Sequence, residues 1–180
     1  VKRLYPETKL TIGPAIENGF YYDFDFPEGK KITESDFAAV EKEMRKILAG
    51  NFDFVRKEVS KEEAFKIFAD EPYKVELIND LEDGATITTY QQDDYIDLCR
   101  GPHVANTKEI NGQAFKLMSV AGAYWRGDVS RPMLTRVYAV CFYKPNDLKD
   151  YLTMLEEAEK RDHRKIGTAL DLFHLEPEDP

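Results

Sequence analysis

The sequence predicts an α+β fold in which a largely antiparallel sheet packs against helices and the chain closes with a long helix. Segments with the two-residue alternation of strands and segments with helical periodicity follow one another without regular βα alternation, which disfavours a parallel sheet. Asn18-Gly19 is typical of a tight antiparallel hairpin. Strand-forming residues then dominate from position 85 to position 143. We therefore expect hairpins rather than βαβ units.

Size and charge narrow the class of protein. The 180 residues can bury one substantial core, and 11 Phe and 10 Tyr supply side chains for it. The 34 acidic and 25 basic residues give a net charge of -9, opposite in sign to the basic surface of a non-specific nucleic-acid binder. We expect no DNA partner, and any RNA contact to be local.

Hydropathy and cysteine content indicate the compartment. No apolar run approaches the roughly 20 residues of a membrane span, so we expect a soluble protein without a membrane partner. The two cysteines, Cys99 and Cys141, are too few for a disulfide framework. Both observations favour a cytoplasmic location.

The first half of the chain is predicted to hold two extended segments and a helix. Residues 8–16, interrupted at Gly13-Pro14, precede a strand at 20–26. A capping pattern at Thr33 and Asp36 begins a helix that ends near Gly50. In the strand at 20–26 one face, predicted to be core, carries Phe20, Tyr22, Phe24 and Phe26, and the other carries Tyr21, Asp23 and Asp25.

The remaining elements follow from the same signals. A strand is predicted at 52–59, and Ser60 with Glu63 forms a capping box that begins a short helix. Pro72 starts another helical turn, and Pro145 opens the long helix. Further strands are predicted at 86–90, 95–99, 115–120 and 134–143. The apolar side of the long helix carries Leu148, Tyr151, Leu152, Leu155 and Ala158.

The segment at 95–103, YIDLCRGPH, is the best candidate for a site. Gly101-Pro102 disfavours a helix, so Cys99 and His103 are expected at a strand end and its following turn. Both are zinc ligand types, but zinc needs three or four protein ligands and only two are clustered here. A half-buried cysteine beside a turn histidine is the alternative, and a cysteine nucleophile lacks a visible third orienting group. No Gly-rich phosphate loop is present in the sequence.

Four motifs together identify a family. They are IGPAIENGFYYD at 12–23, DLCRGPH at 97–103, AGAYWRGD at 121–128 and KRDHRKIG at 160–167. In this order they resemble the editing domain of bacterial threonyl-tRNA synthetases, its second additional domain, and the resemblance covers essentially the whole chain.

The resemblance implies a domain layout and a set of partners. Residues 1–145 correspond to the editing domain, 146–168 to a linker helix and 169–180 to the start of the connection into a class II catalytic core. The chain begins with Val1 rather than Met, so we expect a fragment, and the resemblance implies that this fragment lacks the core. ATP, Mg and zinc belong to the core, so no cofactor is expected here. The expected partners are the acceptor end of tRNA(Thr) and the rest of the synthetase.

The implied activity is hydrolysis of mischarged seryl-tRNA(Thr). An alternative is a catalytically incomplete module that binds the acceptor end, because in the family Cys99 and His103 form half of a cluster completed by an upstream His-x-x-x-His pair that this sequence lacks. A metal-dependent hydrolase is a third interpretation and predicts stoichiometric zinc. We expect no metal.

Three catalytic roles follow by resemblance. Asp97 would hold the substrate's α-ammonium or orient the attacking water, the alternative being a strand-end aspartate in an ion pair. Lys74 would stabilise the oxyanion or contact the terminal ribose, the alternative being a solvated surface lysine. His103 is the candidate general base, since its ordinary pKa lies near neutrality.

Pocket and tRNA contacts complete the prediction. Tyr22 and Tyr90 would line the pocket or stack on the terminal adenine, although strand aromatics are more often core, and Cys99 would form a pocket wall. Arg100 and Arg126 would bind terminal phosphates; for Arg126 the alternative is an ion pair with Asp128. The acceptor stem would meet a basic cluster, for which a solvated helix end is the alternative. This cluster consists of Lys160, Arg161, Arg164 and Lys165.

Overall fold

A computed structural model describes residues 1–17, 19–82 and 84–161 of the chain. Asn18 of the predicted hairpin turn, and everything after position 161, including Arg164, Lys165 and the end of the predicted linker helix, lie outside the described residues. In the described part the strands are β1 Lys9–Leu10, β2 Ala15–Ile16, β3 Gly19–Asp25, β4 Val55–Val59, β5 Ile87–Gln92, β6 Tyr95–Leu98, β7 Phe115–Tyr124 and β8 Met133–Cys141. The α-helices are α1 Phe37–Ala49, α2 Lys61–Ile67, α3 Pro72–Asn79 and α4 Pro145–Lys160.

The strands of the described residues pair antiparallel throughout, which confirms the predicted α+β class. They form two sheets rather than one. A five-stranded sheet has the order β1-β3-β8-β7, with β2 also paired to β3, and a three-stranded sheet has the order β4-β5-β6. None of the helices in this part of the chain is long and apolar enough to cross a bilayer.

The predicted core face of β3 is confirmed. Phe24 is buried there with Val40 of α1 and Val137 of β8, and Phe20, Tyr22 and Phe26 pack against the same cluster. Burial of these apolar side chains, at about 25 cal/mol per Å² removed from water, holds α1 on the sheet.

The opposite face of β3 is buried as well, which the alternation did not predict. Asp23 is only 2% exposed. Arg136 lies directly across the strand pair from Asp23 and donates two hydrogen bonds to its carboxylate, at 2.7 and 2.8 Å. On the same face the hydroxyl of Tyr73 in α3 donates to Asp25 at 2.6 Å. Buried Asp23 and half-buried Asp25 are thus tolerated because the first is ion-paired and the second is hydrogen-bonded.

A second core lies between the three-stranded sheet and helices α2 and α3. Its buried members include Ala64, Phe68, Ile78 and Ile87. The predicted cap of α2 is confirmed, since the hydroxyl of Ser60 accepts from the backbone N–H of Glu63 at 3.1 Å. Ile96 and Leu98 of β6 are partly buried members of this second core, and their side chains define one face of that strand. The alternate residues of β6 therefore face the opposite way.

The strand predicted to begin at Phe52 begins only at Val55. Residues before it pair instead with the loop after His103: the Phe54 N–H donates to Ala105 O at 2.9 Å, and the Thr107 N–H donates to Phe52 O at 2.8 Å. This loop pairing satisfies the backbone groups that a longer β4 would have used. It also brings Phe54 beside His103.

The long helix α4 begins at Pro145 as predicted. Leu148 on its apolar side is buried, and the ring of Tyr151 packs 5.3 Å from that of Phe142. The domain boundaries predicted at residues 145 and 168 stay predictions.

Candidate active site

The carboxylate of Asp97 stands at the centre of a polar cluster between the two sheets. Its Oδ1 lies 2.5 Å from the ammonium Nζ of Lys74 and accepts the Leu98 N–H at 2.7 Å. Its Oδ2 accepts the hydroxyls of Tyr22, at 3.0 Å, and Tyr95, at 3.1 Å. The site is assembled from β3, α3 and β6, which are far apart in the sequence.

Lys74 is buried, and the alternative of a solvated surface lysine is therefore wrong. Its side chain is 3% exposed, against 19% for that of Asp97. Burial of an ammonium is costly unless a counter-charge compensates it, and Asp97 supplies that charge. The face of the Tyr22 ring lies 5.7 Å from Nζ and adds a cation–π contact.

The two tyrosines act as hydrogen-bond donors to Asp97. Burial first, and then the neighbouring Asp97 carboxylate, raise the pKa of Tyr95 well above its ordinary value. Burial also raises the pKa of Tyr22, as do Tyr95 and Asp97 beside it. Both hydroxyls consequently keep their protons. Sequence reasoning missed Tyr95, although its position two residues before Asp97 on one strand places both side chains on the same face.

Tyr90 connects Asp97 to His103. It lies directly across the β5–β6 pair from Asp97, and its ring meets the imidazole of His103 edge to face, with centroids 4.3 Å apart. Phe54 stacks on the imidazole with centroids 5.4 Å apart. Partial burial among these rings lowers the pKa of His103 below its ordinary 6.5, and the charge of Asp97 opposes this effect. The neutral imidazole therefore predominates at pH 7 and can accept a proton.

Gly101 makes the contact between strand and turn possible. Its φ is +73°, a conformation that glycine adopts without a steric penalty. A Cβ at this position would lie 2.0 Å from the hydroxyl oxygen of Tyr90. The Gly101 N–H donates to the sulfur of half-buried Cys99 at 3.3 Å. The turn thus packs tightly against Tyr90, and Cys99 lies beneath it.

No group of three His, Cys, Asp or Glu side chains able to hold a metal ion occurs among residues 1–17, 19–82 and 84–161. In this part of the chain the Cys99 sulfur accepts the Gly101 N–H, and the His103 ring packs against Phe54 and Tyr90. The prediction that the chain binds no metal stays a prediction.

Arg126 has partners other than the one considered from the sequence. Its Nε lies 3.0 Å from Glu76 of α3, and its guanidinium also pairs with Asp80. Asp128 instead accepts from the backbone and hydroxyl of Ser130, so an Arg126–Asp128 ion pair is wrong. The reason is the turn between β7 and β8, which points Arg126 at α3, where the Trp125 indole also donates to Glu76 at 3.1 Å.

The other predicted tRNA contacts differ in their surroundings. Arg100 is exposed and forms no ion pair with another described residue. Arg161 pairs with Glu157 at 2.9 Å on α4. The structure thus leaves Arg100 more available than Arg126 to an anionic partner, and both roles stay predictions.

A cavity of about 600 Å³ borders the cluster. Tyr22, Lys74 and Tyr95 contribute to its wall, together with residues of α1 and the segment at 1–3. The side chains that hold Asp97 therefore adjoin a space large enough for a small ligand.

Comparison with known proteins places these residues in a family. Residues 87–138, which include Asp97 and His103, match the family described as the threonyl and alanyl tRNA synthetase second additional domain. The threonine–tRNA ligases of Syntrophomonas wolfei and Rhodopseudomonas palustris are each 54% identical to the chain over 182 aligned positions, covering 100% of it and 28% and 27% of their own lengths. That of Thermotoga neapolitana is 55% identical over 177 positions, covering 97% of the chain and 27% of its own length. The chain thus spans little more than a quarter of these curated relatives, and the resemblance inferred from its motifs is confirmed.

Proposed function

Because the chain belongs to the threonyl-tRNA synthetase family, we propose that it is an editing domain that hydrolyses the ester bond of seryl-tRNA(Thr). The observation that carries this proposal is the pairing of buried Lys74 with Asp97 beside the imidazole of His103. A buried ammonium at the wall of a cavity, with a carboxylate paired to it and a neutral imidazole nearby, provides the groups that ester hydrolysis requires.

An editing site is needed because a binding pocket can discriminate only weakly between similar amino acids. A pocket that accepts threonine also accepts serine, because one missing methyl group changes binding by only about 1–3 kcal/mol. A second site that excludes the methyl group removes the error. In this proposal Tyr22, Tyr90 and Cys99 line that smaller pocket.

The proposed reaction uses one water molecule. The water oxygen attacks the ester carbonyl carbon while its proton passes to the free ring nitrogen of His103. The carbonyl oxygen becomes an oxyanion, which the ammonium of Lys74 stabilises. The bond to the ribose oxygen then breaks and that oxygen takes the proton from the imidazolium, which releases serine and the free tRNA end. Asp97 keeps Lys74 in place throughout.

The partners in this proposal are the acceptor end of tRNA(Thr) and the remaining domains of a synthetase. Arg100, which is exposed and without an ion pair to any described residue, contacts the terminal phosphates. Arg100 directly follows Cys99, so in this proposal the contact lies beside the pocket wall that Cys99 would form. No cofactor takes part.

The test is release of labelled serine from seryl-tRNA(Thr) by the chain and by Lys74→Met. Loss of an oxyanion-stabilising group is expected to slow release about 100-fold or more. Lys30→Met is the control, because Glu7 is its one ion-pair partner among the described residues and both side chains are exposed, and it should release serine at the parent rate. Both variants are first shown to be folded by circular dichroism.

Equal rates for the parent chain and a folded Lys74→Met variant would contradict the proposed site. Tight binding of the acceptor end without release by the folded parent chain would instead support the alternative of a binding module.

A further inference from the structure

We propose that Tyr95 is a positioning residue whose hydroxyl fixes the carboxylate of Asp97, and through it the ammonium of Lys74, in the orientation that the reaction needs. The consequence for activity rests on the proposed function, whereas the positioning itself does not. Nothing in the motifs singled out this side chain.

The positions of Tyr95 and Asp97 on β6 bring the Tyr95 hydroxyl to the Asp97 carboxylate. Tyr95 and Asp97 project from the same face of β6, and the hydroxyl lies 3.1 Å from Oδ2. The second donor to that oxygen, Tyr22, comes from β3 in the other sheet. Oδ2 is therefore held by one donor from its own strand and one from the facing sheet, which fixes the carboxylate with respect to both.

The neighbours of the Asp97 carboxylate fill its hydrogen-bonding capacity. An ionised carboxylate offers about four lone-pair sites, two on each oxygen. In the described residues Asp97 meets four donors, two on each oxygen, of which Lys74 and the Leu98 N–H serve Oδ1. Rotation of the carboxylate about its Cβ–Cγ bond would break several of these contacts at once. Removal of the Tyr95 hydroxyl leaves one site of Oδ2 empty and reduces the number of contacts that oppose rotation from four to three.

The ammonium of Lys74 depends on Asp97 for its counter-charge. Asp97 is the only carboxylate paired with its ammonium among the described residues, and the lysine side chain is almost fully buried. A carboxylate that rotates therefore moves the counter-charge of Lys74. Misplacement of a catalytic group by about 1 Å can slow a reaction about 100-fold.

The ring of Tyr95 has a separate role. It packs against the core cluster around Phe24 and Val40. Replacement by Phe keeps this ring and removes only the hydroxyl, whereas replacement by Leu removes both. Comparison of Tyr95→Phe with Tyr95→Leu thus separates positioning from packing.

Tyr73 provides a matched control. Its hydroxyl also donates to a carboxylate, that of Asp25, at 2.6 Å, and it precedes Lys74 on α3. Tyr73→Phe therefore removes a hydrogen bond of the same kind outside the cluster around Asp97. We expect it to leave serine release unchanged.

The experiment compares the parent chain with Tyr95→Phe, Tyr95→Leu and Tyr73→Phe. For each protein it measures kcat and KM for serine release from seryl-tRNA(Thr). It also records the NMR signals of the Asp97 carboxylate carbon and the Lys74 Nζ. Tyr95→Phe should lower kcat about tenfold to 100-fold at unchanged KM and shift both NMR signals. Tyr73→Phe should do neither.

Unchanged NMR signals in folded Tyr95→Phe would overturn the proposal, and so would an unchanged kcat in an active chain, or a loss seen only with Tyr95→Leu. If the folded parent chain releases no serine, the proposed function fails, and the NMR signals alone decide whether Tyr95 positions the Asp97–Lys74 pair.

Discussion

The ammonium of Lys74 and the carboxylate of Asp97 lie 2.5 Å apart, although α3 and β6 are separate elements of the chain. A buried ion pair contributes little net stability, since desolvation offsets most of the attraction. Its presence beside a cavity, with a neutral imidazole one tyrosine ring away, is better explained by chemistry than by folding.

The two members of this pair should respond differently to removal. Asp97→Asn leaves the ammonium of Lys74 buried without a counter-charge and should cost about 3–5 kcal/mol. Lys74→Met should cost less, because Asp97 keeps three donors and is partly exposed. The double variant should be less destabilised than the sum of the singles. Urea unfolding of the four proteins measures these differences, and additive effects would contradict a coupled pair.

His103 should titrate below its ordinary pKa of 6.5, because burial among aromatic rings disfavours the charged imidazolium. NMR titration can follow its ring protons, assigned by comparison with His103→Asn among the three histidines of the chain. Phe54→Ala should raise the pKa of His103 toward 6.5 by exposing the ring. A pKa above 6.5 in the parent chain would contradict the packing described.

The same shift predicts a pH dependence of stability. Below pH 6.5 the unfolded chain binds a proton at His103 that the folded chain resists, so this contribution to stability is complete above pH 6.5 and is lost as the pH falls through the folded-state pKa. We therefore expect the unfolding free energy of the parent chain to fall relative to that of His103→Asn as the pH is lowered across this range. Denaturant unfolding of both proteins at several pH values measures this difference. A difference that is constant with pH would argue against the shift.

Gly101→Ala should damage the site, and Gly29→Ala provides its control. Both glycines have a similar φ, +73° and +75°, so each alanine should cost about 1–2 kcal/mol from backbone strain. Only at Gly101 does the added Cβ also meet Tyr90, whereas nothing lies within 4 Å at Gly29. Thermal unfolding and serine release should show the larger loss for Gly101→Ala. Equal losses of stability and activity in the two variants would mean that the Tyr90 side chain moves aside at no cost, and would contradict the tight contact.

Asp23→Ala should be strongly destabilising. It removes the carboxylate that binds the Arg136 guanidinium in a bidentate ion pair in a buried part of the sheet. The expected loss of unfolding free energy is about 3–5 kcal/mol. Glu7→Ala removes an exposed ion pair with Lys30, and solvent screening should make its effect on stability much smaller. Urea unfolding compares the two, and similar losses would show that the Asp23–Arg136 pair contributes no more than a surface pair.

Arg100→Ala should weaken binding of the tRNA acceptor end more than Arg126→Ala, because only Arg126 is already paired with α3. Loss of one phosphate contact to a single strand should reduce the slope of log affinity against log salt by about 0.7. Filter binding at several salt concentrations measures the slopes. A greater reduction for Arg126→Ala would reverse the assignment.

Local patterns in the sequence predicted much of the fold. The alternation in β3, the Ser60 cap of α2 and the proline that opens α4 are each determined by neighbours a few residues away, and the structure confirms them. The late start of β4 was not predictable in this way, because its first residues pair with a loop some 50 positions further along the chain.

In the site, too, local features could be predicted from the sequence and long-range contacts could not. A motif contained Asp97 and the family resemblance extended to Lys74, but burial of Lys74 depends on how α3 packs, which no local pattern reveals. Tyr95 was within reach of the alternation rule, yet its hydroxyl matters only because Tyr22 arrives from the other sheet. The partners of Arg126 likewise depend on the contact of the β7–β8 turn with α3.

The most direct test of the account compares release of serine from seryl-tRNA(Thr) with release of threonine from threonyl-tRNA(Thr) by the same folded chain. The account predicts rapid loss of serine and slow loss of threonine, with the serine activity abolished in Asp97→Asn. Equal release of both amino acids, or release of serine that survives Asp97→Asn, would contradict an editing site built around Asp97 and Lys74.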